Sequence, residues 1–453
     1  MSKTRPRVVL VGAGGYGRLY VEALTSQDMG AELTAICDID PNLAERVPQI
    51  RQRQIPVYPT LDAFFAKDSA DLAVLVSPVH FHTDMVLSCL EHGVNVLCEK
   101  PLCLTVKEAA AMQEASKKTG KFLCIGYQLN YRRDVQALKR DILLGRFGKA
   151  KHIAVYHGFR RGAAYYARNN WAGRITCQGR EVFDSPFTNA CAHHFQMLTF
   201  LLGPTMRTAC DIESVQAELY RANPTIENYD IAALRFQTAQ GLPLLYYTAH
   251  PIRTEFWGPV GVLEFENATI TYTREKPVFR GVMADGSAFD YSDVDPGADM
   301  QKLMDAIQAV DSGDPPLCGV EADLPHIHAV RLVQQNPITP VRSELVQPVH
   351  TDTDDFYCVK NLEQMLVHCA ENRALPSELG IQLGCQRAIS TIYKGRPRLA
   401  CLCKLRHRCH MKFHSRFLDW VSRRAAGQGR DRMNLSSPCP AAAYVTCPWL
   451  WQV

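Results

Sequence analysis

No stretch of the 453-residue sequence comes near the ~18 consecutive apolar residues that a membrane-crossing helix requires. The apolar core of a secretory signal is missing as well, since Met1 to Arg7, MSKTRPR, run straight into a short strand-like segment. The 17 cysteines follow no pairing rhythm, and a chain of this size needs no disulfide staples. These absences predict a soluble globular protein with reduced thiols in the cytoplasm. No internal repeat is visible. Charge of one sign is scarce overall, at +4, but it is unevenly spread. Residues 381–453 carry 13 Lys and Arg against Asp419 and Asp431, a charge of +11, which leaves −7 for the first 380 residues. That tail also holds six of the cysteines and three of the five tryptophans, without sustained periodicity. Its Cys401, Cys403, His407, Cys409, His410 and His414 fit no paired zinc-knuckle spacing, so no metal is expected. Basic charge there could meet nucleic acid or a membrane surface, yet a poorly ordered extension is the simpler expectation, and neither partner is predicted. The abrupt change after Leu379-Gly380 is also what a different reading frame produces; the intact mass of native material would tell the two apart.

What is present is a hydrophobic fraction of 47%, enough for a large core and two domains or more. In the first 125 residues, short β-branched runs (Val8 to Val11, Leu33 to Cys37, Leu72 to Val76, Val94 to Cys98, Phe122 to Ile125) alternate with amphipathic stretches (Tyr16 to Thr25, Thr83 to His92, Val106 to Thr119). Continuous apolar strands spaced by helices predict a parallel sheet covered on both faces, a doubly wound α/β domain. Beyond about residue 150, alternating stretches such as His152 to His157, Ala232 to Phe236, Leu244 to Thr248, Val262 to Phe265 and Thr269 to Thr273 predict a largely antiparallel sheet with helices to one side, a second α+β domain. The expected division is 1–128, 129–380 and the tail 381–453.

GAGGYG, residues 12–17, stands between the first strand and the first helix. Glycine triplets often mark only a turn, but strand, Gly12, Gly14, Gly17 and helix in that order is the context a dinucleotide fingerprint needs. Gly12 permits the tight turn, Gly14 lets backbone approach a pyrophosphate, Gly17 lets helix pack on strand, and the helix N-terminus faces the phosphates. Asp38 ends the next strand 21 residues after Gly17, where an acid binds the adenosine ribose hydroxyls and repels a 2′-phosphate. NAD is therefore favoured, with NADP kept open because Arg46 or a neighbour could reverse the preference. As a bare residue, Asp38 could equally be a turn cap before Pro41.

A second constellation is Cys98-Glu99-Lys100-Pro101-Leu102, at the carboxyl end of a later strand of the same sheet, where α/β sheets place ligands. A lysine there can hydrogen-bond a substrate hydroxyl and lower the cost of its deprotonation, although the tripeptide alone would read as a solvated turn. Ser77-Pro78-Val79-His80-Phe81-His82 lies at another strand end.

With VGAGGYG at 11–17, AICDID at 35–40, SPVHFH at 77–82, GVNVLCEKPL at 93–102, GYQLNYRR at 126–133 and HHFQMLTFLLG at 193–203, residues 5 to 345 or so resemble the family of glucose–fructose oxidoreductase, inositol 2-dehydrogenase and the rhizopine-catabolism oxidoreductases (Gfo/Idh/MocA-like). The resemblance implies a Rossmann domain plus an open-faced sheet domain, a homodimer or homotetramer packed through the sheets, and a nicotinamide ring near Lys100. It further implies cofactor contacts from Gly12, Gly14, Gly15, Tyr16, Gly17, Asp38, Ser77, Pro78, His82, Glu99, Lys100 and Gln128. In the family's D-x-G-x-H-x-x-D segment a His takes the hydroxyl proton as hydride leaves. Here the segment reads Asn189-Ala190-Cys191-Ala192-His193-His194-Phe195-Gln196, so His193 takes the base position and Asn189 and Gln196 replace both carboxylates. Asn189 would orient the His193 ring but cannot stabilise an imidazolium as a carboxylate does, which leaves Asp184 as a compensating acid. A buried structural role for His193 stays open, and His194, pointing elsewhere, suits packing or capping.

Arg161 to Arg174, RGAAYYARNNWAGR, mixes aromatics with Arg and Asn as a site for a polyhydroxylated ring would, with Tyr166, Trp171 and Arg174 as substrate residues beside His193. Core packing explains Trp171 nearly as well. Glu227 to Asp230 and Thr248 to His250 could line the same cleft, with a satisfied strand residue as an equal alternative for His250. The expected activity is NAD(P)-dependent interconversion of a secondary alcohol and a ketone on a sugar, inositol or related polyol. Two rivals are transient oxidation that assists glycoside elimination or hydrolysis, and a dinucleotide sensor without chemistry.

Overall fold

The computed structural model describes residues 4–275 and 278–384, with the backbone of the short strand Tyr393–Lys394. The tail with its zinc and reading-frame questions lies outside the described residues, apart from Ile381 to Gly384 and that strand.

Six short strands, all but β3 mostly buried, build the first sheet: β1 (Arg7–Val11), β2 (Glu32–Cys37), β3 (Val57–Tyr58), β4 (Leu72–Leu75), β5 (Asn95–Cys98) and β6 (Leu123–Ile125). All pair in parallel, in the order β3-β2-β1-β4-β5-β6. The order reverses between β1 and β4, which opens a crevice at their carboxyl ends, the place where such sheets hold ligands. The continuous apolar runs arise because both faces are covered. Val9, Val11, Ala73 and Val96 pack to one side with the helices Val79–Glu91 and Val106–Thr119, while Val8, Leu10, Val74 and Leu97 pack to the other with the helix Gly17–Ser26.

Several of the strands that follow are longer: β7 (Ala150–Phe159), the small hairpin β8 (Thr176–Cys177) and β9 (Arg180–Glu181), then β10 (Ile212–Arg221), β11 (Ile231–Thr238), β12 (Pro243–Ala249), β13 (Phe256–Phe265), β14 (Ala268–Thr273), β15 (Arg280–Met283), β16 (Ala288–Asp290) and β17 (Ile338–Pro340). Apart from the hairpin they form one sheet, β16-β15-β14-β13-β7-β12-β11-β10-β17. It is mixed: β7–β12 and β10–β17 are parallel, the other pairs antiparallel. Its inner face carries the helices Ala192–Leu201 and Val320–Gln334, and the core around them runs unbroken into the first sheet's helices.

Two features depart from expectation. The outer face is open only in part, because Val359, Leu362, Leu366 and Cys369 of the segment after β17 bury Ala233, Leu245, Tyr247 and Trp257 against the helix Leu362–Glu371. The helix Gln301–Ser312, although it follows the large sheet, packs Leu303, Ala306 and Ile307 onto the first sheet's core beside Val8, Leu10 and Leu97. Among the described residues no helix is long and apolar enough to cross a membrane.

Candidate active site

The glycine loop is shaped by contacts that exclude a side chain at two points and admit one at a third. Gly12 has φ +84°, and a Cβ there would lie 2.6 Å from the carbonyl oxygen of Val76. A Cβ on Gly17 would lie 1.9 Å from the Gly12 oxygen, so helix and strand close on each other only through glycine. Gly14 faces open space, with nothing within 4 Å of a Cβ, above the start of the helix Gly17–Ser26, whose N-cap residue Tyr16 supplies no side-chain bond. An uncapped helix end beside bare backbone is a cradle that fits a pyrophosphate. Asp38 stands next to it: its Oδ2 accepts from Ala13 N–H at 2.9 Å and its Oδ1 from Asp40 N–H at 2.9 Å. Arg46, which could have favoured a 2′-phosphate, is ion-paired with Asp40.

At the ends of β4 and β5 the predicted cofactor residues divide. Pro78 starts the helix Val79–Glu91, and the Ser77 hydroxyl donates to Met85 Sδ at 3.2 Å. The Gln128 Oε1 is buried without a protein partner, as an oxygen reserved for a ligand amide would be. His82 and Glu99 were expected on the cofactor, but both turn inward. The His82 ring bridges Ser77 O at 2.7 Å and Pro101 O at 2.9 Å, so it clasps the two strand-end loops together and offers no ring nitrogen to a ligand. Glu99 Oε1 accepts from Lys302 Nζ and from the Tyr20 hydroxyl, each at 2.5 Å, and its Oε2 accepts from the Lys100 N–H.

Lys100 points the other way. Its ammonium donates to both the backbone oxygen and Oδ1 of Asn189 at 3.0 Å. Burial pushes its pKa down to about 8, with Lys302 adding repulsion and Glu99 and Asp184 opposing it. Asn189 Nδ2 donates to Asp184 Oδ1 at 2.9 Å, and Asp184 Oδ2 accepts from Gly173 N–H at 2.7 Å. Burial raises the Asp184 carboxyl despite these donors. The amide expected to hold His193 thus holds Lys100 instead, and the compensating acid reaches the lysine rather than the histidine.

His193 opens the helix Ala192–Leu201, buried, its ring edge-on to Tyr127 at 5.8 Å. Neither ring nitrogen has a protein partner, and burial, with the Lys100 charge nearby, holds it neutral to well below the usual imidazole range. A buried imidazole with two unmet nitrogens beside an ammonium is the chemical signature of a place where a hydroxyl group fits. His194 turns away and stacks on Tyr272 at 5.6 Å. Gln196 is fully buried, accepting from Asn130 Nδ2 at 2.6 Å and donating to Ala322 O at 2.9 Å.

The aromatic segment meets the end of β12 at His250, and it meets Asp184 through Gly173. The Tyr166 hydroxyl meets His250 Nδ1 at 2.8 Å, leaving His250 Nε2 unmet. Trp171 is half-buried, with the Arg168 guanidinium 5.2 Å above its ring. Arg174 departs from its expected role: its guanidinium is exposed and pairs with Glu227 at 2.6 Å. Two residues that sequence reasoning did not select, His157 and Lys302, belong here. His157 and Thr248 sit side by side in the β7–β12 register with His157 Nδ1 and Thr248 Oγ1 buried and unmet, and Lys302 reaches Glu99 from a distant helix. A period-two pattern shows that His157 and Thr248 face inward, but not that their neighbours leave them unpaired.

Residues 6–127 match the family described as "Oxidoreductase family, NAD-binding Rossmann fold". Among curated relatives, a putative UDP-kanosamine synthase oxidoreductase subunit of Amycolatopsis mediterranei is 31% identical over 45% of this chain and 53% of its own. An inositol 2-dehydrogenase of Rhodococcus erythropolis is 32% identical over 33% of this chain and 44% of its own. The chain thus spans about half the length of these relatives. The fold is shared with the WlbA dehydrogenase of Bordetella pertussis, solved with NADH and UDP-GlcNAcA, at TM-score 0.60 and 20% identity over 73% of this chain and 96% of that one. By fingerprint, sheet order and these matches, residues 6–127 are an NAD-binding Rossmann unit of that oxidoreductase family, and the chain is similar to inositol 2-dehydrogenases and to a rhizopine catabolism protein of Rhizobium meliloti, 27% identical over 40% of this chain and 56% of its own.

Proposed function

We propose that this protein is an NAD(P)-dependent dehydrogenase that interconverts a secondary alcohol and a ketone on a sugar, inositol or related polyol. The observation that carries the reading is the buried His193 ring, unmet at both nitrogens, beside the Lys100 ammonium. Gly12, Gly14, Gly15, Tyr16 and Gly17 would cradle the pyrophosphate, Asp38 the adenosine ribose, and Ser77, Pro78 and Gln128 the nicotinamide end. Bound there, a nicotinamide dinucleotide supplies the acceptor or donor of hydride. Lys100 donates a hydrogen bond to the reacting oxygen and stabilises charge that grows on it. His193, neutral at physiological pH, accepts the hydroxyl proton, and Tyr166 and Trp171 position the ring of the substrate. The pairing of Arg46 with Asp40 supports NAD over NADP.

We also place residues 1–128 as the nucleotide half and 129–380 as the half for substrate and assembly, in a cytoplasmic homodimer or homotetramer. Eleven buried free cysteines among the described residues support a reducing compartment. Because the helix Leu362–Glu371 covers part of the large sheet, the uncovered part around β13 to β15 is the surface left for a second copy.

The test is a screen of polyols, inositols and keto-sugars with NAD and with NADP, following nicotinamide absorbance, then single-turnover hydride transfer in Lys100→Met and His193→Gln. We expect dinucleotide binding to survive His193→Gln while transfer falls by about 10²–10⁴-fold. Undiminished transfer in either variant would remove the assignment, and dinucleotide binding without transfer in the unaltered chain would point to a sensor.

A further inference from the structure

Two buried lysines face one buried carboxylate, and only one of them takes it. Lys302, wholly shielded from solvent, donates to Glu99 Oε1 at 2.5 Å, to the Tyr16 hydroxyl at 3.1 Å and to Gly126 O at 3.4 Å, so each of its three N–H bonds has an acceptor. Lys100, covalently next to Glu99, instead sends its ammonium to Asn189. Lys302 arrives on the helix Gln301–Ser312, from beyond the large sheet, and touches the glycine loop, the Glu99-Lys100 turn and the end of β6 at once.

We propose that Lys302 is a positioning residue for the reaction: by occupying the Glu99 carboxylate it keeps the Lys100 ammonium turned toward Asn189 and the reacting oxygen. The proposal rests on the reading of Lys100 as the group that faces substrate. Glu99, Lys302, Asp184 and Arg168 are the charges that act on Lys100, with His193 and Cys191 facing it from the helix side. Removing the Lys302 charge takes away a like charge and releases an opposite one. Both changes favour the ammonium form of Lys100 and draw it toward Glu99.

The experiment uses the full-length chain with Lys302→Met and Lys302→Arg. Lys100 ionisation is read directly, without catalysis, from the pH dependence of its acetylation by acetic anhydride, followed by peptide mass spectrometry. The unaltered chain should inflect near about 8. Lys302→Met should inflect about one unit or more higher, and Lys302→Arg should return toward the unaltered value. Adding Glu99→Gln to Lys302→Met should bring the inflection back down. Hydride transfer at neutral pH should fall about tenfold in Lys302→Met with dinucleotide affinity nearly kept. If Lys302→Met does not fold, Lys302→Gln, which keeps an N–H donor toward Glu99 without the charge, carries the same expectation. A folded, uncharged variant whose Lys100 inflection stays in place overturns the proposal. Absence of hydride transfer in the unaltered chain would count against the proposed function alone, since acetylation reads Lys100 independently.

Discussion

Gly14 and Gly17 stand three residues apart in different surroundings, open space at the first and backbone at the second, so the proposed binding and the folding can be perturbed separately. A Cβ at Gly14 meets nothing within 4 Å and its backbone lies outside the left-handed region, so Gly14→Ala should change folding stability by between zero and about +1 kcal/mol through loss of unfolded-chain freedom. A Cβ at Gly17 would stand 1.9 Å from the Gly12 oxygen, a backbone atom pinned between β1 and the helix. Relief requires the helix to retreat from the sheet, and Gly17→Ala should lose about 3 kcal/mol or more. The free space at Gly14 is where the proposed pyrophosphate lies, so the methyl of Ala, and more so the isopropyl of Val, collides with ligand and not with protein. Losing that approach should cost about 1.4–3 kcal/mol of binding, a ten- to roughly 100-fold rise in Kd for NAD. Thermal unfolding and titration calorimetry on both variants separate the effects. Gly14→Val that binds NAD as tightly as the unaltered chain would show that no phosphate lies at that loop, and Gly17→Ala of full stability would refute the packing argument.

Three further outcomes are expected. If Lys100 acts as proposed, kcat/KM should fall above about pH 8, because the lysine loses there the positive charge that would stabilise the reacting oxygen; His193, neutral to well below pH 6.5, should add no acid limb between about pH 5 and 7. Asp38→Asn, which can still accept from Ala13, should narrow the preference for NAD over NADP by about tenfold as measured by the ratio of kcat/KM values, through loss of one charge near the 2′ position. Asn189→Asp would set two buried carboxylates 2.9 Å apart, so one must hold a proton: stability in urea should drop and drop further as pH rises above about 4, while the exchange Asn189→Asp with Asp184→Asn should recover most of the loss. A single variant as stable as the parent at pH 8 would contradict that pairing.

The first sheet was legible because its strands are covered on both sides and read as unbroken apolar runs; only β3 escaped, being two residues long. In the second half, β7, β11, β12, β13 and β14 were found by alternation, whereas β10, IESVQAELYR, hides it behind Glu213, Gln216 and Glu218. Motif position put the glycines between β1 and the first helix and Lys100 after β5, where the structure has them, since strand ends and turns are local. It failed for His82 and Glu99, which share the motif's sequence but point into the protein, because side-chain direction in a loop follows from what lies behind it. Lys302 had no signal at all. An amphipathic helix announces that it will cover some sheet, not which one, and Gln301–Ser312 covers the sheet that precedes it by some 180 residues.

Asn189 and Gln196, the two amides that stand where the family resembled has acids, are explained by their neighbours. Gln196 lies between a donor, Asn130 Nδ2, and an acceptor, Ala322 O, and a carboxylate there would set oxygen against oxygen. Asn189 likewise accepts from Lys100 on one side and donates to Asp184 on the other. The acid is therefore not lost from the site but moved one residue outward, and through the amide it supports the lysine. His193 then lacks the carboxylate that would steady an imidazolium, so a full positive charge on that ring, beside Lys100, is costly. In the proposed reaction, proton transfer to His193 would be favoured only as far as it is matched by hydride departure, and the charge developing on the substrate oxygen would rest on Lys100. The proposal therefore asks the larger share of transition-state stabilisation of the ammonium whose surroundings, Asn189, Asp184, Glu99 and Lys302, are joined by hydrogen bonds.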